Sequence, residues 1–159
     1  MGTEPRLADG SDRHGVRIVL AGTPADAPLA DEFARVFHGE FVNQIGKTPL
    51  ESLGSLTGRA SLVVSNDTGA AHLAIAQGVP TVVVAPGNQI GRYFPYPDSF
   101  RSRSRAVFNT IPCFGCGPHC IFVSDKGQPR PCIADVGVES VLNAIEQVLG
   151  NRTCVAAES

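Results

Sequence analysis

Short apolar segments alternate along this chain with longer segments in which apolar residues recur at helical spacing. Strands are predicted at residues 16–21, 40–43, 61–64, 81–85 and 106–108, and helices at 24–38, 49–56, 70–76 and before Gly150. Such alternation favours βαβ units with helices on both faces of the strands. The predicted fold class is α/β: a Rossmann-like, mostly parallel sheet flanked by helices, with a cysteine-containing loop before the C-terminal helix.

Length and composition predict one folded domain between two polar ends. The chain has 159 residues, of which 43% are hydrophobic, and this is enough for one well-buried core. Residues 1–14 are polar and rich in glycine, so they are predicted to form a flexible leader. Residues 151–159 are predicted to be a flexible tail, which leaves 15–150 as the domain.

Charge and hydropathy argue against nucleic-acid binding and against a transmembrane helix. The formal net charge is −2 and the sequence pI is about 6.0, so there is no basic field for nucleic acid. The apolar runs are far shorter than the ~20 residues that a transmembrane helix needs, and nothing resembles a signal peptide. A cytoplasmic protein without a transmembrane segment is expected.

The junction between the third predicted strand and the third predicted helix carries the most informative polar residues. The chain there runs Ser65-Asn66-Asp67-Thr68-Gly69-Ala70-Ala71-His72. Asp67 or Thr68 is expected to cap the helix, so that the N–H groups of its first turn face a bound anion. His72 lies one turn after Thr68 on the same predicted face. The junction predicts a pocket for nucleotide phosphates, the simpler alternative being that these residues only cap and pack the helix.

This junction resembles glycosyltransferase family 9, the heptosyltransferase group of lipopolysaccharide assembly. The resemblance rests on Asn-Asp-Thr-Gly-x-x-His at residues 66–72, followed by Gly-Val-Pro-Thr-Val-Val-Val at 78–84. Further matches are a strand and glycine turn at 16–22, Gly-Lys-Thr-Pro-Leu at 46–50, and the cysteine-bearing segment before the last helix. The resemblance extends over about residues 16–150.

The resemblance implies the C-terminal, donor-binding half of a two-domain GT-B enzyme. Such a half binds a nucleotide-diphospho-sugar of the ADP-heptose type for inverting glycosyl transfer in the synthesis of lipopolysaccharide or a related glycan. The acceptor domain and its aspartate base are expected to be absent from this chain and supplied by an N-terminal domain or a partner chain. The isolated half is then expected to transfer weakly or not at all.

The resemblance also implies roles for the residues of the junction. Thr68, Gly69 and Ala70 would hold the diphosphate, and Asp67 would accept a hydrogen bond from a sugar or ribose hydroxyl. His72 would face the phosphate or the sugar and stabilise the leaving group. No catalytic residue and no catalytic metal are expected in this chain.

Four further residues are candidates for contact with the donor. The resemblance implies that Thr48 and Leu50 line the nucleoside base and that Asp26 accepts a hydrogen bond from the ribose. Arg92 follows a strand end and would contact the diphosphate through its guanidinium, the alternative being a solvated side chain in a loop that aromatic residues pack down.

Cysteines form a second group of candidate residues: Cys113, Cys116, Cys120 and Cys132. Four thiolates on one loop are able to hold a structural Zn or Fe ion tetrahedrally. Free thiols are the main alternative, and disulfides are less favoured in a cytosolic chain. His119 lies among them, and Cys154 is left over in the tail.

Two other functions stay open at this point. A non-catalytic nucleotide-binding module would share the fold and the Asp67 junction, whereas a cysteine–metal assembly module would depend on the four cysteines alone. The sugar, the nucleotide base, the acceptor and a homo-oligomeric state are also left open.

Overall fold

The structure is a computed structural model that describes residues 16–97, 103–117, 120–122 and 129–150. The predicted leader at 1–14, the predicted tail at 151–159, His119 and Cys154 lie outside these residues. The chain divides into two compact units, Met1–Leu53 and Gly54–Ser159. The boundaries of the predicted single domain stay a prediction.

The first unit contains one βαβ arrangement. Strands β1 (Ile18–Leu20) and β2 (Phe41–Asn43) pair in parallel, and helix α1 (Ala27–Val36) connects them after a short 3-10 turn. The Phe33 ring of α1 and the Phe37 ring directly after this helix stack with centroids 4.9 Å apart, and Phe33 meets the Phe41 ring of β2 at 5.2 Å. Aromatic contacts therefore hold α1 against its sheet. Helix α2 (Leu50–Gly58) follows β2.

The second unit contains a three-stranded parallel sheet. Its strands β3 (Val63–Asn66), β4 (Thr81–Val84) and β5 (Ser104–Val107) are arranged in the order β3-β4-β5. Within the central strand, Thr81, Val82 and Val83 have no exposed surface. Buried β-branched residues of this kind are typical of a parallel strand covered on both faces.

Helices cover both faces of this sheet. Val83 packs in a buried cluster with Ala71 and Ile75 of helix α3 (Gly69–Ala76). Val82 packs in another with Ala144 and Val148 of helix α5 (Val138–Gly150). Because successive side chains of a strand point to opposite faces, α3 and α5 lie on opposite sides of β4. A short helix, α4 (Pro131–Ala134), precedes α5.

The predicted α/β architecture is confirmed, with strand pairs that are all parallel and flanked by helices. The predicted bounds of the last strand were wrong. It begins at Ser104 and ends before Phe108, because its register is set by pairing with β4, where Thr81 lies opposite Ser104. The sequence of the strand alone does not specify its pairing register with β4.

Truncation of Val82 tests whether the central strand carries the stability of the second unit. We expect Val82→Ala to lower the free energy of unfolding by about 2–3 kcal/mol, since it removes buried methyl groups and leaves a cavity. Val64→Ala is the matched control on the neighbouring strand, where the side chain is 49% exposed, and should cost less than about 1 kcal/mol. Urea unfolding measures both, and equal losses would contradict this account of the core.

Candidate functional site

The junction singled out in the sequence lies at the carboxyl edge of the β3-β4-β5 sheet. Strand β3 ends at Asn66, Asp67 and Thr68 form the turn, and α3 begins at Gly69. Ligands of open parallel sheets bind beyond this edge, where the loops leave the strands. The backbone thus brings the junction to the expected place for a binding site.

The first turn of α3 lacks the side-chain cap expected from Asp67 or Thr68. Thr68 is the N-cap residue, yet no side chain caps the helix. Its hydroxyl instead pairs with the Ser65 hydroxyl at 3.0 Å, while the Asp67 carboxylate turns to His72. The first turn therefore keeps N–H groups without a capping side chain, at the positive end of the helix dipole.

Gly69 at the start of α3 is not explained by protein packing. A Cβ built at this position would meet nothing within 4 Å, and its backbone does not have the positive φ that favours glycine. The alternative that Gly69 allows close packing is therefore wrong. What the glycine leaves is open space directly above the exposed first turn.

His72 connects two segments of the second unit through its ring nitrogens. Its Nε2 lies 3.2 Å from Asp67 Oδ1, and its Nδ1 is within hydrogen-bond contact of the Tyr96 hydroxyl. The Asp67 side chain is only 8% exposed, whereas that of His72 is 38% exposed. Both imidazole nitrogens thus have protein partners.

Three aromatic rings surround the His72 imidazole. The rings of Tyr93, Phe94 and Tyr96 have centroids 5.9, 6.2 and 6.0 Å from it, and the Phe94 ring is nearly parallel to it at 18°. Phe94 is 3% exposed and belongs to the buried cluster of Ala71. Burial of Phe94 therefore holds residues 93–96, the aromatic segment, against α3.

Arg92 is exposed beside this group of rings. Its guanidinium carbon lies 5.2 Å from the Tyr93 ring centroid, within the range of a cation–π contact. Its backbone N–H donates to the carbonyl of Gln89, as does that of Tyr93. The predicted contact of Arg92 with a diphosphate stays a prediction.

The pKa of the Tyr96 phenol is raised, first by partial burial and then by the negative charge of Asp67. Both effects disfavour the phenolate. Tyr96 therefore keeps its proton at neutral pH and is able to donate it in a hydrogen bond to His72. Sequence reasoning missed this residue as a polar partner, because it lies 24 positions from His72 on a different segment.

The other three residues predicted to contact the donor lie in the first unit. Two of them hydrogen-bond to nearby residues, and the third is exposed. Asp26 Oδ2 accepts from the Thr23 N–H at 2.7 Å and from its hydroxyl at 2.8 Å, which makes it part of a capping arrangement before α1. The Thr48 hydroxyl donates to the Gln44 carbonyl at 3.0 Å, and Leu50 is 71% exposed. Their roles toward a nucleoside stay predictions.

The four predicted metal ligands line one cavity. The thiols of Cys113, Cys116, Cys120 and Cys132 are free, and Cys132 is buried. Partial burial raises the pKa of the Cys113 thiol, and the neighbouring Cys116 and Cys120 raise it further. Within the described ranges, no group of three or more His, Cys, Asp or Glu side chains is arranged to hold a metal ion.

The cysteine loop contacts the end of the central strand. The Gly115 N–H donates to the Gly87 carbonyl at 3.1 Å, and a Cβ on Gly87 would lie 3.0 Å from the Phe114 ring. Glycine at position 87 therefore permits the close approach of this loop.

Among the described residues, no helix is long and apolar enough to cross a bilayer.

Comparison with known proteins relates most of the chain to one family. Residues 6–115 match the model of glycosyltransferase family 9 (heptosyltransferase), a range that includes the junction, Arg92 and Tyr96 but not Cys116, Cys120 or Cys132. The chain is 28% identical over 92 residues to the lipopolysaccharide core heptosyltransferase OpsX of Haemophilus influenzae, covering 57% of this chain and 26% of that protein.

A solved structure shows the same fold. The crystal structure of a family 9 glycosyl transferase from Veillonella parvula superposes with a TM-score of 0.63 at 23% identity, covering 89% of this chain. That match takes up 39% of the Veillonella chain. The chain thus spans about a quarter of one relative and about two fifths of the other.

The two tyrosines of the chain, Tyr93 and Tyr96, make a direct pH test possible. In Tyr93→Phe, the ultraviolet absorbance of tyrosinate reports Tyr96 alone, and its midpoint should lie above the ordinary value of 10.0. Since the folded pKa is raised, the stabilisation from Tyr96 is complete below pH 10 and is lost as the pH rises through the folded pKa. Adding Asp67→Asn should lower the midpoint, and a midpoint at or below 10 in Tyr93→Phe would refute the assignment.

Proposed function

The chain belongs to glycosyltransferase family 9, and we propose that it forms the donor-binding part of a transferase that uses a nucleotide-diphospho-sugar. The family model and the heptosyltransferase relative support a donor of the ADP-heptose type and a role in lipopolysaccharide or related glycan synthesis. A cytoplasmic location and a homo-oligomeric state stay predictions.

One observation carries this proposal: the uncapped first turn of α3, open above Gly69 and flanked by the Asp67–His72 pair. Backbone N–H groups at a helix N-terminus favour a phosphate, and the empty space at Gly69 permits its close approach. We assign the diphosphate to Thr68, Gly69 and Ala70. Asp67 then accepts from a hydroxyl of the sugar or the ribose.

The leaving-group charge is stabilised electrostatically in this proposal. When the glycosyl bond breaks, negative charge develops on the diphosphate, where the helix terminus and Arg92 reduce its energy. A role of His72 in stabilising the leaving group stays a prediction. Asp26, Thr48 and Leu50 lie in the first unit, and their contact with the nucleoside stays a prediction. Asp26 has the least support, because its Oδ2 already accepts two hydrogen bonds from Thr23.

Transfer itself requires an acceptor and a base. We assign no base within this chain, so inverting transfer depends on a separate acceptor domain or partner chain. The chain alone is expected to bind the donor with little or no transfer. A purely nucleotide-binding role would share the same pocket and differs only in the absence of transfer when the acceptor part is added.

The cysteine cavity supports a second, structural proposal. Four thiols line one cavity at the end of β4, where a Zn or Fe ion would tie the loop together. The described side chains do not form a ready coordination group, so binding requires the loop to close around the ion. The proposed donor site does not depend on this metal.

Gly69→Ala separates ligand binding from folding. Because the new methyl group meets open space in the protein, the free energy of unfolding should be unchanged or raised by up to about 1 kcal/mol. The methyl group would overlap a phosphate seated on the first turn, so affinity for the preferred nucleoside diphosphate should fall about tenfold or more. Calorimetry with ADP, GDP and UDP measures the affinity.

Gly137→Ala is the matched control for this variant. Gly137 precedes α5, a Cβ there would also meet nothing within 4 Å, and its φ is not positive. Its substitution should leave nucleotide binding unchanged. Equal binding by wild type and Gly69→Ala, or no binding of any diphosphate by wild type, would overturn the donor-site proposal.

Elemental analysis tests the structural metal. Protein purified without chelator should contain about one equivalent of Zn or Fe, and Cys132→Ser should lose it, because a tetrahedral site needs all four ligands. Nucleotide affinity should stay unchanged in this variant if the two sites are independent. Metal-free wild-type protein with four titratable thiols at these positions would rule the metal out.

A further inference from the structure

We propose that Tyr96 is a positioning residue of the donor pocket: its hydroxyl occupies His72 Nδ1 and thereby keeps the His72 Nε2–H on Asp67. The inference assigns a role to a residue that otherwise looks like loop packing. Its functional consequence rests on the proposed donor site, whereas the hydrogen-bond chain itself lies entirely within the protein.

Hydrogen-bond chemistry determines the direction of this chain. An ionised carboxylate only accepts, so the His72 Nε2 that lies 3.2 Å from Asp67 Oδ1 must carry a proton. In a neutral imidazole, Nδ1 is then the acceptor, and the Tyr96 hydroxyl is the donor. The direction therefore runs from Tyr96 through His72 to Asp67.

The aromatic segment keeps the imidazole in this orientation. The Phe94 ring is buried and nearly parallel to that of His72, while the Tyr93 and Tyr96 rings approach it at 63° and 56°. A rotation of the imidazole out of its present plane would disrupt these ring contacts together with the hydrogen bonds. The raised pKa of Tyr96 keeps the phenol protonated, as a donor must be.

In this arrangement, backbone N–H groups bind the phosphates and the Asp67 carboxylate binds a ligand hydroxyl. With both nitrogens engaged, His72 has no ring N–H left for a phosphate, so the phosphates depend on the backbone at the start of α3. A carboxylate has about four acceptor positions, so one bond from His72 leaves Asp67 able to accept from a ligand hydroxyl. Tyr96 therefore affects recognition of the hydroxyl-bearing part of the donor more than recognition of the diphosphate.

The tautomer of His72 tests the chain without any ligand. In long-range ¹H–¹⁵N spectra of the imidazoles, assigned with His72→Asn, wild type should show the Nε2–H form. Tyr96→Phe keeps the ring but removes the donor, and it should shift the His72 Nδ1 resonance. Tyr93→Phe is the matched control and should leave it in place. An identical His72 signal in wild type and Tyr96→Phe would overturn the proposal.

A double-mutant cycle tests the consequence for binding. Calorimetry with ADP-, GDP- and UDP-linked sugars should show about 3- to 10-fold weaker binding of the preferred donor to Tyr96→Phe, the effect of one hydrogen bond. This loss should vanish in the Asp67→Asn background if Tyr96 acts through His72 on Asp67. Inorganic diphosphate should bind equally to wild type and Tyr96→Phe.

The two experiments fail in different ways. If wild type binds no nucleotide-sugar and no diphosphate, the proposed function falls, while the imidazole spectra still decide the role of Tyr96. If wild type binds the donor but Tyr96→Phe loses the same affinity with and without Asp67→Asn, Tyr96 does not act through Asp67 and the positioning role is wrong.

Discussion

The parallel pairing of β3 with the largely buried β4 is the constraint on which the rest of the second unit depends. Val82 and Val83 are covered from opposite faces by α5 and α3, so β4 cannot shift in register without exposing one of these clusters. Parallel pairing then brings the carboxyl ends of both strands to one edge. From that edge emerge the Asp67 junction and the segment that carries Tyr96.

A second anchor determines how closely these two segments approach. Phe94 is buried against α3, and this holds the neighbouring Tyr96 within hydrogen-bond contact of His72. The turn before it is ordered by backbone hydrogen bonds from Arg92 and Tyr93 to Gln89. A hydrophobic contact thus produces a polar arrangement, because the energy of burial exceeds what the single hydrogen bond contributes.

The end of β4 also joins the proposed pocket to the cysteine loop. Gly87 lies three residues after the last residue of this strand. Its carbonyl accepts the Gly115 N–H, while Phe114 occupies the space that a side chain at Gly87 would need. The polypeptide then continues to the aromatic segment around His72. One strand end therefore supports two groups of chemically distinct residues, which belong to separate proposals.

Local sequence patterns determined much of this protein. Apolar runs and helical spacing predicted the alternating elements, and the polar residues at 65–72 predicted the strand-to-helix junction and its family, because both depend on residues close together in the chain. Spacing alone also grouped the four cysteines that line one cavity.

Only the tertiary structure decided which partner each polar side chain takes. Thr68 pairs with Ser65 instead of capping α3, Gly69 faces open space, and His72 bonds to a tyrosine 24 residues away. The reason is physical: the contact between His72 and Tyr96 depends on the packing of β4 and Phe94, which brings together segments whose separation in sequence carries no periodic signal.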